Sequence, residues 1–485
     1  MSLFERLQQA GNFKLHIGGE WRDSSDGAAL AVFDPATEQS VAEIPSASVE
    51  DARLAVDAAA DAFTDFAAMS PVSRAEILRS AYELMTGKAD ELAGLIVLEM
   101  GKAYAEARAE VVYAAEFFRW YAGEATRNIG YLNTAPAGDK RILAIHQPIG
   151  VSLLVTPWNF PAAMATRKIA PAIAAGCSMV LKPASDTPLT ALAVAKILEK
   201  AGLPPGVLNV LPSRRSGEVV NAMLSDQRVR NLSFTGSTEV GQLLLEQCSR
   251  RVVRASMELG GNAPLVVFED ADLDEAVAGC MIAKMRNGGQ SCIGANRLIV
   301  HEAIATEFSG KLCDAMSEVK MGPGMEAGVT LGPLINEQAV RDMVRMTEEC
   351  IDAGASLELG GSAPESAGYY FAPTLITAVA PDNPILSREI FGPIAPVVTF
   401  ESEEEAIRLA NNSELGLAAY VFTGDFARGL RISEAIEAGM VGINRGLISD
   451  PAAPFGGVKE SGLGREGSHE GLHEFLETKY ISADW

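Results

Sequence analysis

The sequence predicts an α/β protein built on two doubly wound parallel sheets. From residue 151 to 258, short apolar segments of strand length alternate with amphipathic helical segments, which is the pattern of βαβ units. The same alternation resumes at residue 264. The chain has 485 residues, against roughly 150 for a typical domain, so two or three packed units are expected. No Pro- or Ser-rich linker is present, and we place the domain boundary at a tight crossover in Glu258–Asn262.

The first alternation follows a helical region and a short β-like run. Ala and Leu recur at helical spacing in Asp51–Met69 and Arg74–Leu98, and the β-like run is Arg141–Ile145. Glycines at 176 and 202 end two helices of the alternation. The predicted strands are Val151–Thr156, Ser178–Leu181, Val207–Leu211, Leu232–Thr235 and Arg254–Glu258. The predicted helices are Ala162–Ala175, Pro188–Ala201, Ser216–Leu224 and Thr238–Cys248.

The second alternation contains a glycine-rich loop, Asn287–Cys292, directly after its first helix. Its predicted strands and helices are, in chain order, Pro264–Phe268, Leu273–Arg286, Leu298–His301, Ala303–Val319, Val340–Ala353, Val397–Phe400, Glu403–Asn411 and Tyr420–Thr423. Doubly wound sheets bind ligands at the carboxyl ends of their strands. The loops that follow strands are therefore where chemistry is expected.

Composition and charge exclude several classes of protein. With 48% hydrophobic and 21% charged residues, the chain is typical of a soluble globular protein. Its net charge of −23 repels phosphate backbones and anionic lipid, so nucleic acid and membrane are not expected as partners. The first residues, Met1–Arg6, resemble no signal peptide. The six cysteines form no C-x-x-C pair, which favours reduced, mostly buried thiols and a cytoplasmic location.

Two residues are candidates for covalent and acid–base chemistry. Cys292 ends the glycine-rich loop, where a thiol can be approached closely, and its thiolate would be a nucleophile. Glu258 ends a predicted strand and precedes Gly260–Gly261, so it faces the crevice and suits a general base. Taken singly, an inert buried cysteine and a strand-end surface charge are the more common explanations.

Two further loops suggest an oxyanion donor and a phosphate site. Asn159 lies in the apolar loop Thr156–Pro161, where its amide can stabilise an oxyanion or cap the following helix. The segment Phe234–Gly241 is a strand, a glycine turn and a helix start, an arrangement that can hold phosphate. It lacks the G-x-G-x-x-G fingerprint, although Lys182, at the end of a neighbouring strand, supports the interpretation.

Together these segments resemble the aldehyde dehydrogenase superfamily, and within it the succinate-semialdehyde dehydrogenase branch. The resemblance covers nearly the whole chain. The most specific matches are Pro157–Pro161, Leu181–Ser185, Ser233–Gly241, Glu258–Asn262, Gln290–Cys292, Glu389–Pro393 and Pro454–Gly457. The resemblance implies an enzyme that oxidises an aldehyde with a nicotinamide cofactor.

The resemblance assigns catalytic roles to four residues. Cys292 matches the nucleophile, which forms a thiohemiacetal and then a thioester. The Asn159 amide and the Cys292 backbone N–H would hold the oxyanion. Glu258 matches the base that activates water to hydrolyse the thioester, and Lys168 matches a lysine with a proton-relay role. For Lys168 a helix-surface position is the alternative.

The resemblance also assigns the cofactor site. The residues it implies are Trp158, Lys182, Ser185, Gly236, Ser237, Gly241, Leu259, Glu389 and Phe391. Where NAD-preferring relatives often have Glu, this chain has Ser185, which removes the repulsion of a ribose 2′-phosphate, and Lys182 adds a cation. NADP is therefore favoured, with NAD as the alternative. Arg214 and Arg215 could add positive potential, or could be solvated loop charges.

Three residues match the positions that hold the substrate carboxylate in the succinate-semialdehyde branch: Arg167, Arg286 and Ser449. A guanidinium binds a carboxylate in bidentate fashion, so two of them form a cationic pocket in an acidic protein. A structural ion pair is the alternative for each arginine. The expected substrate is succinate semialdehyde, a small aldehyde with a carboxylate tail.

Other activities stay open to different degrees. Glutarate semialdehyde or another ω-oxo acid differs by one methylene, worth only about 1–3 kcal/mol. Transfer of the thioester to coenzyme A is disfavoured by Glu258, and a non-enzymatic binding role by the retention of all the catalytic groups.

No metal site is expected, and His469 and His473 are interpreted as helix surface. Gly294 stands where some relatives carry a second cysteine, so their regulatory disulfide is not expected.

The resemblance further implies a β-strand oligomerisation arm. We assign residues 1–127 and 148–258 to a dinucleotide-binding domain, 259–445 to a catalytic domain, and 128–147 and 470–485 to the arm. In the final strand, an otherwise exposed edge at Lys479–Ala483 would need covering. A homodimer or homotetramer is therefore expected.

Overall fold

The computed structural model describes residues 13–484. The strands are β1 Leu15–Ile17, β2 Glu20–Arg22, β3 Ala29–Asp34, β4 Gln39–Pro45, β5 Tyr131–Thr134, β6 Lys140–Pro148, β7 Val151–Val155, β8 Met179–Lys182, β9 Leu208–Val210, β10 Val229–Thr235, β11 Arg254–Glu258, β12 Ala263–Val267, β13 Ala295–His301, β14 Ser356–Leu359, β15 Thr374–Thr377, β16 Ile394–Phe400, β17 Leu415–Gly416, β18 Ala418–Phe422, β19 Met440–Ile443, β20 Val458–Lys459, β21 Gly462–Leu463 and β22 Leu476–Asp484. The helices are α1 Val49–Ala68, α2 Pro71–Thr86, α3 Ala89–Met100, α4 Tyr104–Glu124, α5 Pro161–Ala175, α6 Pro188–Lys200, α7 Ser216–Ser225, α8 Thr238–Ser249, α9 Leu273–Met285, α10 Glu302–Ser317, α11 Glu337–Asp352, α12 Glu403–Asn411, α13 Phe426–Ala435 and α14 Glu470–His473.

The first large sheet has the order β2-β1-β9-β8-β7-β10-β11-β21. The five central strands, β9, β8, β7, β10 and β11, run parallel. Strands β1, β2 and β21 pair antiparallel at the two edges. Neighbouring residues of β7 face opposite cores: Leu154 packs with one set of helices and Leu153 with another. Both faces are therefore covered, which explains why these strands read as continuous apolar runs.

The second large sheet has the order β14-β15-β16-β13-β12-β18-β19, with only the β14 edge antiparallel. Its strands are again buried on both faces, since Leu265 and Val266 of β12 belong to different cores. The chain passes between the sheets directly, because β11 ends at Glu258 and β12 begins at Ala263. The division into domains stays a prediction.

A third sheet, β22-β6-β5, forms the arm segment. Strand β22 pairs antiparallel with all of β6, from Leu476 opposite Pro148 to Asp484 opposite Lys140. Large apolar side chains on it are exposed, among them Leu132 and Tyr480, and such an edge favours association with another chain.

Trp485 and Met1–Arg6 lie outside the described residues. Within those residues, no helix combines the length and apolar character that crossing a membrane needs.

One prediction of local structure was wrong in detail. Arg74–Leu98 is not one helical segment, because α2 ends at Gly87 and α3 begins after Lys88. The predicted parallel sheets are confirmed, and antiparallel strands are added at their edges. Helical spacing does not report a break whose flanking segments are both amphipathic.

Candidate active site

A cavity of about 540 Å³ opens at the carboxyl ends of β7, β8, β10 and β11. Sequence-predicted residues form much of its lining: Trp158, Asn159, Lys182, Ser185, Gly236, Ser237, Leu259, Cys292, Glu389 and Phe391. Gly241 lies beneath it, where a Cβ would overlap the Leu259 side chain. The strand-end loops, the glycine-rich loop and residues 389–391 therefore meet in one place.

Cys292 is held by an unusually tight loop. Asn287, Gly288 and Gly289 have successive positive φ angles of 54°, 61° and 74°, a path that favours glycine. The Cys292 side chain is partly exposed to the cavity, unlike the buried Cys177 and others. Burial raises the pKa of its thiol to about 12, which the Arg167 guanidinium opposes. The resting thiol is therefore protonated.

Glu258 is 2% exposed, and neither carboxyl oxygen has a hydrogen-bond partner among residues 13–484. Burial, followed by the charge of Glu466, raises its pKa well above the usual range, while Arg167 and Lys168 oppose that shift. The carboxyl group also acts electrostatically on the thiol of Cys292. An unpartnered buried carboxyl group of raised pKa is a stronger base than an exposed one, which suits general-base chemistry.

The Asn159 amide points at the glycine-rich loop and does not cap the helix. Its Nδ2 donates to the Gln290 carbonyl at 3.1 Å, which leaves its second N–H available. Helix α5 has no side-chain cap at Phe160. At the start of this helix the Ala162 N–H donates instead to Glu110 Oε1, at 2.9 Å. Of the two interpretations of Asn159, the geometry favours the oxyanion donor.

A buried ion pair that the sequence did not reveal supports this loop. Lys102 Nζ lies 2.6 Å from Glu110 Oε2, and both side chains are 1% exposed. The same ammonium donates to the Asn159 carbonyl at 2.7 Å and lies 4.0 Å from the Phe160 ring centroid. Neither residue belongs to a recognisable motif, because their partner segment lies about fifty positions further along the chain.

Arg167 and Lys168 share a second unforeseen partner, Glu466. Arg167 Nε lies 2.8 Å from Glu466 Oε2, and its guanidinium is 3.9 Å from the centroid of the Phe455 ring. Lys168 pairs with the other carboxylate oxygen and donates to Ser233 Oγ at 3.0 Å. Arg167 Nη2 has no hydrogen-bond partner in the described chain. Arg167 thus makes a structural ion pair and keeps a buried Nη2 without a partner in the described chain, while Lys168 is buried and does not lie at the surface.

Tyr113 joins the three predicted carboxylate ligands. Burial raises the pKa of Tyr113, and the charges of Arg167 and Arg286 together with the Ser449 hydroxyl oppose that shift. Arg286 is half-buried, lies 4.7 Å from the Phe160 ring centroid, and makes no ion pair with any residue from 13 to 484. No spacing in the sequence links Tyr113 to these residues.

The far end of the cavity carries a buried cation. Lys182 is 5% exposed, and burial lowers its pKa to about 8, which Asp186 opposes. Ser185 Oγ donates to the Ser213 carbonyl at 2.8 Å. Ser237 caps α8, accepting from the Val240 N–H, so the positive end of that helix faces the cavity. This region is suited to a phosphorylated ligand.

Glu389 stands beside the crossover. Its Oε1 accepts from the Gly261 N–H at 3.0 Å, and burial raises its pKa to about 7. A Cβ at Gly261 would overlap the Cys292 carbonyl oxygen, so only glycine lets these segments approach. Trp158 and Phe391 meet edge to face, with ring centroids 5.5 Å apart.

Three remaining sequence observations lie outside the cavity. Arg215 pairs with Asp26, and Arg214 is exposed near Ser185. The Nε2 atoms of His469 and His473 are 3.0 Å apart, and His469 also contacts the Glu124 carboxylate. These rings therefore have protein partners and are not a freely solvated helix surface. Across residues 13–484, no group of three or more His, Cys, Asp or Glu side chains is placed to hold a metal ion.

The aldehyde dehydrogenase family model matches residues 21–481. The chain belongs to the aldehyde dehydrogenase family. It is 53% identical over 441 residues to succinate-semialdehyde dehydrogenase of Paenarthrobacter nicotinovorans, covering 91% of this chain and 98% of that protein. It is 46% identical over 466 residues to glutarate-semialdehyde dehydrogenase of Pseudomonas putida, covering 96% of each.

The structure of this chain is also similar to solved structures. The crystal structure of an NADP-dependent enzyme of Escherichia coli matches with a TM-score of 0.96 and 47% identity, over 97% of this chain and 98% of that one. The predicted resemblance and fold class are thereby confirmed. The roles of individual residues stay predictions.

Proposed function

We propose that this aldehyde dehydrogenase oxidises succinate semialdehyde to succinate with NADP, through a thioester on Cys292. The observation that carries the proposal is that Arg167, Arg286 and Ser449 all act on the pKa of Tyr113, and that Arg167 also acts on the Cys292 thiol. An uncharged aldehyde has no use for two guanidinium groups at this place. A carboxylate would use both groups, because it would pair with Arg286 and with the unpartnered Nη2 of Arg167.

The first chemical step is the attack of the sulfur on the aldehyde carbon. The thiol loses its proton to solvent, and the new C–S bond pushes the carbonyl π electrons onto oxygen. That oxyanion receives hydrogen bonds from the available Asn159 N–H and the Cys292 backbone N–H. Donors that are already fixed in place need no reorganisation as the charge develops.

The oxyanion then collapses and hydride leaves the same carbon, which becomes a thioester. When bound, the nicotinamide of NADP supplies the acceptor for that hydride. In the second half-reaction Glu258 removes a proton from water, the oxygen attacks the thioester, and the sulfur leaves as thiolate. Its raised pKa makes Glu258 a stronger base than an exposed glutamate.

The residues at the far end of the cavity fit NADP. Lys182 is a buried ammonium with no carboxylate within 4 Å in the described chain, so it can pair with a phosphate. Ser185 places a hydroxyl where a carboxylate would repel a 2′-phosphate. Glu389 would accept the nicotinamide ribose hydroxyls, with Trp158, Leu259 and Phe391 alongside; Gly236, Ser237 and Gly241 would form the pyrophosphate turn.

A longer ω-oxo acid is the second candidate substrate. A relative that matches 96% of this chain is named for glutarate semialdehyde, and one methylene changes specificity by only about 1–3 kcal/mol. Thioester transfer to coenzyme A is not favoured, because Glu258 supplies a water-activating base. For assembly and location, we propose a cytoplasmic homodimer or homotetramer joined through the arm, on the basis of its exposed apolar strands.

The test is NADPH absorbance with succinate semialdehyde, glutarate semialdehyde and butanal, each with NADP and with NAD. Cys292→Ala is expected to abolish turnover, whereas Cys313→Ala, at the other partly exposed cysteine, is expected to leave it unchanged. Activity that survives in the Cys292→Ala variant would contradict the mechanism. A wild type that oxidises butanal as well as the two acids would contradict the substrate.

A further inference from the structure

Lys284 is a buried lysine on α9 that the proposed reaction does not use. It is 1% exposed, and its ammonium makes no ion pair within residues 13–484. Nζ donates to Asn296 Oδ1 at 3.2 Å. Burying an ammonium without an adjacent carboxylate costs free energy. A position that retains one therefore needs a compensating interaction.

Asn296, on β13, links this lysine to the crossover. Its Nδ2 donates to the Gly261 carbonyl at 3.3 Å, and the Gly261 N–H donates to Glu389 Oε1 at 3.0 Å. Gly261 is also the residue against which the Cys292 carbonyl packs. The amide of Asn296 thus ties Lys284 to the turn that orients Glu389.

The charges around this link are few and identified. Cys280, on the same helix, and Glu389 are the titratable groups that face Lys284. Glu389 is faced by Lys284 and by the Cys292 thiol. Burial lowers the pKa of Lys284 to about 7 and raises that of Glu389 to about 7, and each charge opposes the shift of the other.

We propose that Lys284 is a positioning residue for the cofactor, whose buried charge keeps the Glu389 carboxylate ionised while Asn296 holds the turn beside it. The inference rests on the proposed function, in which Glu389 accepts the nicotinamide ribose hydroxyls. An ionised carboxylate accepts at both oxygens, whereas a protonated one must use one oxygen as a donor. Cofactor affinity should therefore depend on a residue that does not touch the cofactor.

The experiment is titration calorimetry of NADP binding without aldehyde, from pH 6.5 to 9. At pH 7, Lys284→Met is expected to weaken binding about fivefold, which follows if the Glu389 pKa rises by about one unit. At pH 9 the difference is expected to fall below about twofold, because wild-type Lys284 has then lost its proton. Lys284→Arg is expected to bind within about twofold of wild type at pH 7.

Two controls separate this role from a structural one. In a Glu389→Gln background, Lys284→Met is expected to change affinity by less than about twofold, since no carboxylate remains to ionise. Arg74→Met removes a different buried cation, which donates to the Ala174 carbonyl, and is expected to keep the wild-type pH profile. Equal weakening at every pH, or in the Glu389→Gln background, would overturn the proposal.

Two further outcomes are interpretable. If Glu389→Gln binds NADP as wild type does, the cofactor assignment within the proposed function fails, which differs from failure at Lys284 alone. If Lys284→Met does not fold, Lys284→Arg decides, because a guanidinium stays charged throughout this pH range. Its NADP affinity is expected to vary less with pH than that of wild type, and equal variation would overturn the proposal.

Discussion

Arg167 Nε lies 2.8 Å from Glu466 Oε2, in a cluster from which solvent is almost absent. The same carboxylate pairs with Lys168, so two cations neighbouring in sequence share one anion. A buried pair stabilises poorly against apolar packing, yet removing one partner leaves an uncompensated charge. The carboxylate therefore sets both the stability of the site and the charge that Arg167 presents.

The stability consequence is testable with Glu466→Gln. The change leaves two buried cations without an anion and is expected to lower the free energy of unfolding by about 3–5 kcal/mol, measured by urea titration. Glu246→Gln removes an exposed pair with Arg250 and is expected to cost less than about 1 kcal/mol. Equal losses in the two variants would contradict the buried-pair account.

The pH consequence involves Glu258. The negative charge of Glu466 raises the pKa of Glu258, and Arg167 and Lys168 lower it. Removing Glu466 leaves burial, which raises the Glu258 pKa, opposed by the cations alone, so this pKa should fall and the base form should persist to lower pH. The rising limb of the kcat profile is expected to move to lower pH in Glu466→Gln. An unchanged or alkaline-shifted limb would show that Glu258 does not limit turnover.

Replacing the base should separate the two half-reactions. Glu258→Gln keeps the size of the side chain but cannot accept the proton of water, so thioester hydrolysis is expected to slow about 10²–10⁴-fold. Rapid mixing should then show a burst of NADPH with an amplitude near one per subunit, followed by slow turnover. Loss of the burst itself would place Glu258 in the first step only.

Cofactor choice should respond to position 185. Ser185→Glu introduces a carboxylate beside the expected 2′-phosphate and is expected to lower kcat/KM for NADP at least tenfold relative to NAD. Ser185→Gln has the same bulk without the charge and should change that ratio far less. If both variants shift the ratio equally, size decides the preference and charge does not.

Local patterns predicted the parts of this molecule whose physics is local. Strand alternation gave the two sheets, and the Asn287–Cys292 glycines indicated a loop that brings a thiol to the cavity. The break near Gly87 was missed, because amphipathic spacing continues through both helices.

The supporting residues could not be found in this way. Lys102, Glu110, Tyr113, Lys284 and Glu466 act through partners that are distant in sequence, or through charges that only burial makes strong. A lysine or glutamate on a helix is usually solvated. Only the folded structure shows which of these side chains are buried away from solvent.

The most direct test of the central claim uses Arg286, which, unlike Arg167, makes no ion pair with any residue from 13 to 484. Arg286→Gln removes its charge with little change in Glu466 or Arg167, and kcat/KM is measured for succinate semialdehyde and for butanal. The account predicts a loss of about 10²-fold for the acid, from unpairing its carboxylate, with butanal changed less than about threefold. Equal losses for both aldehydes, or none for the acid, would contradict it.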